Sequence, residues 1–504
     1  MPEKKYGTYT YDHVLREINK IPMFGTAGAG AMDYSLDRMK CWSRRLDHPE
    51  QSFTSIHVAG TNGKGTTCRM IASVYQTAGY RTGLYTSPHL LELRERVRID
   101  ANKISKKAIT EFYSTFQTML REDPPTYFEW MTLLAFWYFR RENVQIAVIE
   151  TGLGGRLDAT NIIKPAVSVI TSIGMDHKEI LGDTLQAIAS EKAGIIKPHT
   201  PVIIGLMKPE AAEVLQSHAL ERSAPVFFAD LDEDQGEKKK EIVDNVKRAE
   251  SMNKNAADSF LGLMRPPTDR LNRMTTRSAV RILSDRYPVS ADEISEGLAS
   301  WPLRYKPHGN FEPMMPGKNW YFSGAHNPEA WRDLTEHLHA IAPARHWTVV
   351  LSMLADKCTI EVQQAFKPFE HLILVPMDTP RAASTQQMTS LLPWGRLIPS
   401  LDDLVADAQG IVVDTGQLSK LNSTDATHKS LQPESRSWRT STTPSQSRKP
   451  AIPGSSKSDY QPGFEGHQPD EKERTGLVIF TGSLYFYSTV ERWVQSNQTT
   501  ISRG

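Results

Sequence analysis

The chain has 504 residues, too many for one hydrophobic core and enough for two domains with additional segments. Its 59 basic and 58 acidic side chains give a formal net charge of +1, which excludes a global field that would gather nucleic acid or an anionic membrane. The cysteines Cys41, Cys68 and Cys358 lack CxxC spacing, which indicates neither a disulfide framework nor a structural zinc site. We therefore expect a cytoplasmic protein that binds neither nucleic acid nor membrane.

Short β-rich runs alternate with segments of helical period between Ser55 and about Phe228. The predicted strands are SIHVA, GLYT, IAVIE, VSVIT and VIIG. After the first strand, apolar residues at positions 71, 74, 75 and 78 recur at helical spacing. This alternation predicts a parallel sheet covered by helices. The charged stretch DLDEDQGEKKKE, residues 230–241, is predicted to be a solvated loop.

A second, smaller α/β unit is predicted after a break in periodicity at WPLRYKPHGNF, residues 301–311, which is typical of an interdomain linker. Its predicted elements are a strand at 320–322, a helix from Pro328, and strands within WTVVLSML (347–354) and LILVP (372–376). Residues 416–475 are rich in Ser, Thr, Pro, Gln and Lys, which predicts a disordered insertion. A strand and a helix are expected again at 476–493, so the insertion lies inside the second unit.

The strongest chemical signal is HVAGTNGKGTT, residues 57–67, between a predicted strand and a predicted helix. Its backbone N–H groups and its lysine suit a triphosphate, and the residues concerned are Gly60, Thr61, Asn62, Gly63, Lys64, Gly65 and Thr66. The spacing is shorter before the lysine than in GxxxxGK[ST]. A turn that merely joins strand to helix is the alternative, and the lysine argues against it. The loop therefore predicts ATP binding.

This variant loop resembles the ATP loop of the Mur ligase superfamily, and further segments narrow the resemblance to the folylpolyglutamate synthase and dihydrofolate synthase family. These segments are LYTSPHLLELRERVRI (84–99), TYFEWMT (126–132), IETGLGGRLDATN (149–161), GMDHKEILGDTLQAIASEKAGIIKP (174–198), SGAHNPEA (323–330), TPRAAS (379–384) and TGSLY (481–485). The resemblance implies an α/β fold. A P-loop-type parallel-sheet ATPase domain at 1–300 would bind ATP and a pterin, and a smaller Rossmann-like glutamate-ligase domain would follow at 312–504.

The resemblance also implies a magnesium site. Ser87, Glu150 and His177 each follow a predicted strand, at the edge where an α/β sheet gathers its ligands, and they match family positions that bind Mg²⁺. Lys192 matches a lysine that the superfamily converts to a carbamate, which would provide a ligand for a second Mg²⁺. Considered singly, the same residues also suit a turn serine, a strand-end cap, a satisfied core histidine and a surface lysine.

Two segments resemble the family's pterin-side contacts. The matching residues are Thr126, Tyr127, Phe128 and Glu129, followed by Leu157, Asp158 and Ala159. Aromatic rings can cover a flat heterocycle while a carboxylate accepts hydrogen bonds from its N–H groups. Core packing is the alternative for Phe128 and Trp130, and it is favoured for Trp130. The segment AMDYSLDRM, residues 31–39, resembles another substrate-side loop.

On the nucleotide side, Asn272, His326 and Asn327 stand at positions that match the family, but two other positions depart from it. Ser323 stands where the family usually has an aspartate before GAHNP, and Asn310 stands where it usually has an arginine. The nearby Arg304 or Lys306 would have to take over the role of that arginine. Loss of one charge-assisted contact costs about 1.5–3 kcal/mol. These departures leave a degenerate nucleotide-binding protein as the alternative to an active ligase.

The resemblance implies ATP-dependent ligation of L-glutamate to dihydropteroate, to a reduced folate, or to both, through an acyl phosphate. The residues predicted to be catalytic are Lys64, His177, Lys192 and His326. We expect ATP, Mg²⁺ and these substrates as partners of a monomeric protein. A Mur-type ligase acting on a nucleotide-linked wall precursor is a further alternative, and the TSPHL and TYFE segments argue against it.

Overall fold

A computed structural model of the chain describes residues 9–21, 35–229, 267–306, 308–309, 311–315, 319–341, 347–404 and 477–501. Two sheets, each accompanied by helices, organise these residues. The α/β class predicted from the alternation of strands and helices is therefore confirmed. The predicted loop at 230–241, the predicted insertion at 416–475 and Asn310 lie outside the described residues. No helix in the described ranges is both long enough and apolar enough to cross a membrane.

The first sheet has eight strands. They are β1 (Thr54–Ala59), β2 (Thr82–Tyr85), β3 (Val97–Ile99), β4 (Asn102–Lys103), β5 (Ile146–Glu150), β6 (Val167–Ile170), β7 (Val202–Ile204) and β8 (Val226–Phe228). Their order is β4-β3-β2-β5-β1-β6-β7-β8. The strands from β2 to β8 along this order run parallel, and β3 and β4 continue the sheet antiparallel. Each strand predicted in this unit corresponds to one of these parallel strands.

Helices cover both faces of the first sheet. They are α1 (Tyr11–Asn19), α2 (Asp37–Arg45), α3 (Lys64–Thr77), α4 (Lys106–Glu122), α5 (Tyr127–Arg141), α6 (Lys178–Leu181), α7 (Leu185–Ala193), α8 (Pro209–Glu221), α9 (Pro267–Ile282) and α10 (Ala291–Tyr305). Along β5, Ala147 and Ile149 pack in the core that contains α4 and α5, whereas Ile146 and Val148 pack in the core that contains α3, α9 and α10. Successive strand residues face opposite sides, so a strand buried on both faces is apolar throughout.

The second sheet has six strands. They are β9 (Glu312–Pro313), β10 (Trp320–Ser323), β11 (Trp347–Ser352), β12 (His371–Leu374), β13 (Arg396–Leu397) and β14 (Leu477–Gly482), in the order β13-β12-β11-β14-β10-β9. The pair of β9 and β10 is antiparallel and the other pairs are parallel. The accompanying helices are α11 (Pro328–Ile341), α12 (Ile360–Phe366), α13 (Thr385–Leu391) and α14 (Leu484–Ile501). The predicted terminal strand, β14, lies between β10 and β11 in the middle of the sheet.

The end of α10 differs from the prediction, because the helix reaches into the range assigned to the linker. Trp301 and Tyr305 are buried in the core beside α3, and this packing extends the helix through Pro302. A proline in a helix leaves the carbonyl four residues earlier without its usual N–H donor. Here the carbonyl of Leu298 accepts a hydrogen bond from Arg273 Nη2 at 3.1 Å instead. The last turn of α10 thus belongs to the core that contains α3 and α9.

Candidate functional site

The glycine loop lies between the carboxyl end of β1 and the first residue of α3. Gly63 precedes the helix with a φ of +81°, a backbone conformation that favours glycine. The N–H of Thr61 donates to Ser172 O at 2.8 Å and the N–H of Asn62 donates to Ser172 Oγ at 3.0 Å. Lys64 Nζ donates to the carbonyls of Gly60 and Thr61 at 3.0 and 3.2 Å. These bonds tie the loop to the segment after β6 and hold the lysine across it.

The loop opens into a cavity of about 900 Å³ that is lined by residues from both sheets. Its wall includes the predicted catalytic, nucleotide, metal and substrate residues. These are residues 60–66, 126–129 and 157–159 together with Ser87, Glu150, His177, Lys192, Asn272 and His326. Asn327, which also matches the family, is not among the lining residues. The fold therefore brings the predicted nucleotide, metal and substrate groups to one place, while the role of each residue stays a prediction.

Lys64 is a common electrostatic neighbour of the predicted metal ligands. Glu150 ends β5, is 3% exposed, and accepts the backbone N–H of Ser87 on Oε2 at 3.0 Å. Burial raises the pKa of Glu150, and the charge of Lys64 is the largest opposing effect. Desolvation lowers the pKa of His177, and Lys64 acts in the same direction, so this imidazole is neutral at pH 7. A neutral imidazole retains a lone pair for a metal ion.

This donor set suits Mg²⁺, because a buried carboxylate gains from a nearby cation and Mg²⁺ takes few protein ligands. The described residues contain no group of three or more His, Cys, Asp or Glu side chains placed to hold a metal ion. A bound Mg²⁺ would therefore depend on phosphate oxygens and water for its remaining ligands. The side chain of His177 is 35% exposed, which does not fit a core histidine.

Lys192 is buried on α7, which rules out the surface-lysine interpretation. Its residue exposure is 4%. Burial lowers the pKa of Lys192 to about 7, and the charge of Lys64 adds to this effect. Asp176 and Asp158 act in the opposite direction. The amine is thus partly neutral near pH 7, and a neutral amine is the form that reacts with carbon dioxide.

On the predicted pterin side, Thr126 and Glu129 cap α5. Thr126 Oγ1 accepts the N–H of Glu129 at 3.3 Å, and Glu129 Oε2 accepts the N–H of Thr126 at 2.7 Å. The same carboxylate receives two hydrogen bonds from Arg38, at 3.1 and 2.7 Å. The sequence analysis missed Arg38, although it lies in the quoted segment 31–39. Glu129 therefore already has a charged partner within the protein before any heterocycle binds.

Two aromatic residues of this segment have different surroundings: Phe128 lines the cavity and Trp130 is buried in the core. A Cβ atom on Gly152 would lie 2.6 Å from the ring of Phe128, so only glycine permits this approach. Trp130 is 1% exposed and packs edge-on against Phe112, with ring centroids 5.4 Å apart. The core packing favoured for Trp130 is confirmed.

Asp158 organises the loop after β5 through both of its carboxylate oxygens. Oδ2 accepts the N–H groups of Gly152 at 2.8 Å and Leu153 at 3.0 Å. Oδ1 accepts the N–H of Thr160 at 3.0 Å and also its hydroxyl. Burial raises the pKa of Asp158, and these hydrogen bonds oppose the rise. The carboxylate thus fixes the backbone that carries Leu157 and Ala159.

Asp176, which the sequence analysis missed, connects the two sheets. Its Oδ1 accepts Lys357 Nζ at 2.5 Å, and its Oδ2 accepts Asn327 Nδ2 at 3.3 Å. His326 Nε2 lies 3.7 Å from Oδ2. Burial disfavours the ionised form, but the nearby His326 and the surrounding charges, including Lys357, hold the pKa of Asp176 well below its usual range. The sequence feature that could have identified Asp176 is its position directly before His177 in the GMDHKE segment.

The other residues considered on the nucleotide side lie on different elements and differ in their contacts. Ser323 ends β10, is 9% exposed and lines the cavity. Of the two residues considered as substitutes for the family arginine, Lys306 lines the cavity, whereas Arg304 donates to Thr77 Oγ1 at 2.8 Å and is not in the cavity wall. Asn272 Oδ1 accepts the hydroxyl of Thr67 at 3.2 Å, beside the glycine loop.

Comparison with known proteins assigns this arrangement to a family. Residues 58–260 match the Mur ligase middle domain and residues 311–418 match the Mur ligase glutamate ligase domain. The chain is 33% identical over 383 residues to the dihydrofolate synthase/folylpolyglutamate synthase of Escherichia coli (strain K12), which covers 75% of this chain and 87% of that protein. The protein of the same name from Bacillus subtilis (strain 168) is 34% identical over 373 residues, which covers 70% and 83%. The chain belongs to the dihydrofolate synthase/folylpolyglutamate synthase family.

Solved structures share the fold of this family member. Escherichia coli FolC in complex with DHPP and ADP superimposes with a TM-score of 0.68 at 23% identity, covering 97% of this chain and 99% of that one. Mycobacterium tuberculosis folylpolyglutamate synthase complexed with ADP gives a TM-score of 0.69 at 23% identity and covers 98% of both chains. The predicted family and its class, an ATP-dependent ligase, are confirmed.

The buried amine of Lys192 predicts a pH-dependent stability. Because folding lowers its pKa from 10.5 to about 7, the unfolded chain binds more protons between these values, and stability gains from rising pH. We expect the free energy of unfolding of the wild type to rise relative to Lys192→Met by about 2 kcal/mol in total from pH 7 to pH 9. The slope should grow toward about 1.4 kcal/mol per pH unit as the folded-state amine loses its proton. Denaturant unfolding without Mg²⁺ or carbon dioxide measures it. A difference independent of pH would contradict the prediction.

Proposed function

We propose that this family member ligates L-glutamate to dihydropteroate, to a reduced folate, or to both, at the expense of ATP. The observation that carries the proposal is the single cavity. Its wall joins the glycine loop, the segment 126–129 and the loop that contains Asp158 with residues at the edge of the second sheet. ATP, a flat acceptor and glutamate can therefore meet within one cavity, as an amide-forming transfer requires.

The chemistry has two steps. The carboxylate of the acceptor attacks the γ-phosphate of ATP, which gives an acyl phosphate and ADP. The amine of glutamate then attacks the acyl carbon, phosphate leaves, and an amide forms. Lys64 neutralises phosphate charge in the first step, and the N–H groups of residues 63–66 orient the phosphates, since those of Thr61 and Asn62 are bonded to Ser172. Ser87, Glu150 and His177 would hold Mg²⁺, which supplies further charge neutralisation when bound.

Lys192 and His326 take supporting roles in this proposal. As a carbamate, Lys192 would carry a carboxylate into the cavity and provide a ligand for a second Mg²⁺. Its burial and partly neutral amine support this modification. His326 Nδ1 donates to Gly324 O at 2.7 Å, which leaves Nε2 directed toward Asp176 and the cavity. We also propose that the chain acts as a monomer in the cytoplasm, a reducing compartment that suits three free cysteine thiols.

The proposed activity is tested by supplying purified protein with ATP, Mg²⁺ and labelled glutamate, with dihydropteroate and tetrahydrofolate in parallel reactions. Label should enter an amide with at least one acceptor. Lys64→Ala should lower turnover by about 10²–10³-fold, because a charge that stabilises the transferred phosphate is lost.

Lys107→Ala is the matched control, since the side chain of Lys107 is 83% exposed on α4 and should leave turnover unchanged. Incorporation with neither acceptor would contradict the proposal. Binding of ATP without glutamate-dependent ADP release would instead support the alternative, a nucleotide-binding member of the family that has lost catalysis.

The two sheets are joined across the cavity by a hydrogen-bonded network that suits closure over ATP. Asn62 of the glycine loop and Asn327 bond to each other through both amide groups, at 2.9 and 3.3 Å. Asn327 also donates to Asp176, which is paired with Lys357. The side chains of Asp176 and Lys357 are 7% and 12% exposed, so water screens their attraction weakly. We propose that this contact holds the second half over the site and keeps water from the acyl phosphate.

Lys357→Met should therefore lower amide formation about tenfold or more, because it leaves the carboxylate of Asp176 without its closest cation. It should also raise the ratio of ADP released to amide formed above one, as water reaches the acyl phosphate. Lys357→Arg should retain much of both properties, and Lys367→Met, an exposed lysine in the same half, should change neither. An unchanged ratio in Lys357→Met would show that closure does not depend on this pair.

Ser323 provides a separate test of the nucleotide site. An aspartate here would place a charged acceptor in the cavity wall at the position where the family usually has one. We expect Ser323→Asp to lower the apparent KM for ATP about tenfold, because one charge-assisted hydrogen bond contributes about that factor to binding. Steady-state titration of ATP measures this effect, with Ser323→Asn as the uncharged control. An unchanged or higher constant for Ser323→Asp would contradict the role assigned to this position.

A further inference from the structure

A buried histidine in β1, His57, contacts Thr160, which is hydrogen-bonded to the cavity-lining residue Asp158. His57 is 0% exposed and stands between the apolar residues Ile56 and Val58 in β1. Its Nε2 lies 2.8 Å from Thr160 Oγ1. The other ring nitrogen, Nδ1, is buried without a hydrogen-bond partner in the described part of the chain. Burial of an unpaired polar atom opposes folding, so apolar packing alone does not explain a histidine here. Its contact with Thr160 is the property that an aliphatic residue would lack.

The direction of the hydrogen bonds follows from the groups involved. Asp158 Oδ1 is a carboxylate oxygen and accepts the hydroxyl proton of Thr160. Thr160 Oγ1 must then accept its second bond from the Nε2–H of His57, which assigns the tautomer of this imidazole. Burial lowers the pKa of His57 to about 3, so the ring stays neutral at physiological pH. His57, Thr160 and Asp158 thus form one directed relay.

The relay ends on the carboxylate that shapes the loop after β5. Because Asp158 also accepts the N–H groups of Gly152 and Leu153, its orientation decides how this loop faces the cavity. His57 is in the strand that continues into the glycine loop. The relay therefore connects the strand that carries the nucleotide loop to the loop that lines the acceptor side.

We propose that His57 and Thr160 are positioning residues for the pterin-bearing acceptor, acting by holding Asp158 and its loop in a binding-competent conformation. This inference rests on the proposed function, since it assigns the acceptor to that side of the cavity. Disruption of the relay should therefore weaken acceptor binding and leave ATP binding almost unchanged.

Thr160→Val tests the relay with almost no change in side-chain volume. The dissociation constant of dihydropteroate, measured by titration in the presence of ADP, should rise about tenfold, the factor that corresponds to about 1.4 kcal/mol. The apparent ATP constant should change less than about twofold, and Thr160→Ser should restore acceptor affinity. Thr276→Val is the matched control, because Thr276 is also 0% exposed but its hydroxyl has no hydrogen-bond partner in the described structure.

His57→Phe completes a double-mutant cycle. It should weaken acceptor binding to a similar degree, and the double variant with Thr160→Val should lose little more, because both changes break the same relay. Additive losses, or equal weakening of ATP and acceptor binding, would overturn the inference. So would wild-type acceptor affinity in a folded Thr160→Val protein. Failure of the wild type itself to bind or ligate dihydropteroate or tetrahydrofolate would instead contradict the proposed function.

Discussion

The position of β1 in the middle of the first sheet constrains the site more than any other feature. It pairs with β5 on one side and β6 on the other, so the segments that follow all three strands meet at one edge. In a parallel sheet this edge is where the chain can leave a crevice for a ligand. The glycine loop follows β1, Glu150 ends β5, and Ser172 after β6 holds the loop. The hydrogen bonds within this crevice prearrange the loop before ATP binds.

Burial then determines the chemistry available in the crevice. Glu150, His177 and Lys192 all have pKa values shifted toward their neutral forms by desolvation, and Lys64 influences each of them. A cation entering this site would gain from the carboxylate and would meet a neutral imidazole and a partly neutral amine. The same burial that opposes the stability of the free protein would therefore favour the proposed binding of Mg²⁺ and carbon dioxide by these groups. The pKa shifts of the site and the free energy of unfolding thus have the same physical cause, the desolvation of these groups.

Asp176 and Asp158 show two different uses of a buried carboxylate. Asp176 accepts the N–H of His177 and, from the second half, Asn327 and Lys357, so its contacts depend on the relative position of the two halves. Asp158 is satisfied within the first half, by backbone N–H groups and by the relay from His57. The first carboxylate suits closure over ATP, and the second suits a rigid wall for the acceptor. We therefore expect substitutions at the two carboxylates to affect nucleotide capture and acceptor recognition separately.

Much of this protein follows from its sequence alone. The strand β5 and the terminal strand β14 were predicted because their apolar runs are local patterns, and the glycine loop because its spacing between a strand and a helix is local too. The glycine loop, Ser87 and Glu150 meet at one cavity because they lie at strand ends, which a parallel sheet collects at one edge. Residues 127–129, Lys192 and Asn272 lie on helices and reach the same cavity through the packing of those helices on the sheet.

Contacts between distant residues were decided by the tertiary structure. Lys357 and Asp176 are 181 residues apart, and His57 and Thr160 are 103 residues apart, yet each pair shares a hydrogen bond. The last turn of α10 likewise exists because Arg273 compensates for Pro302 and because the helix packs on α3. Local periodicity specifies which segments form strands and helices. The partner of a buried polar side chain depends instead on which segments the completed fold places beside it.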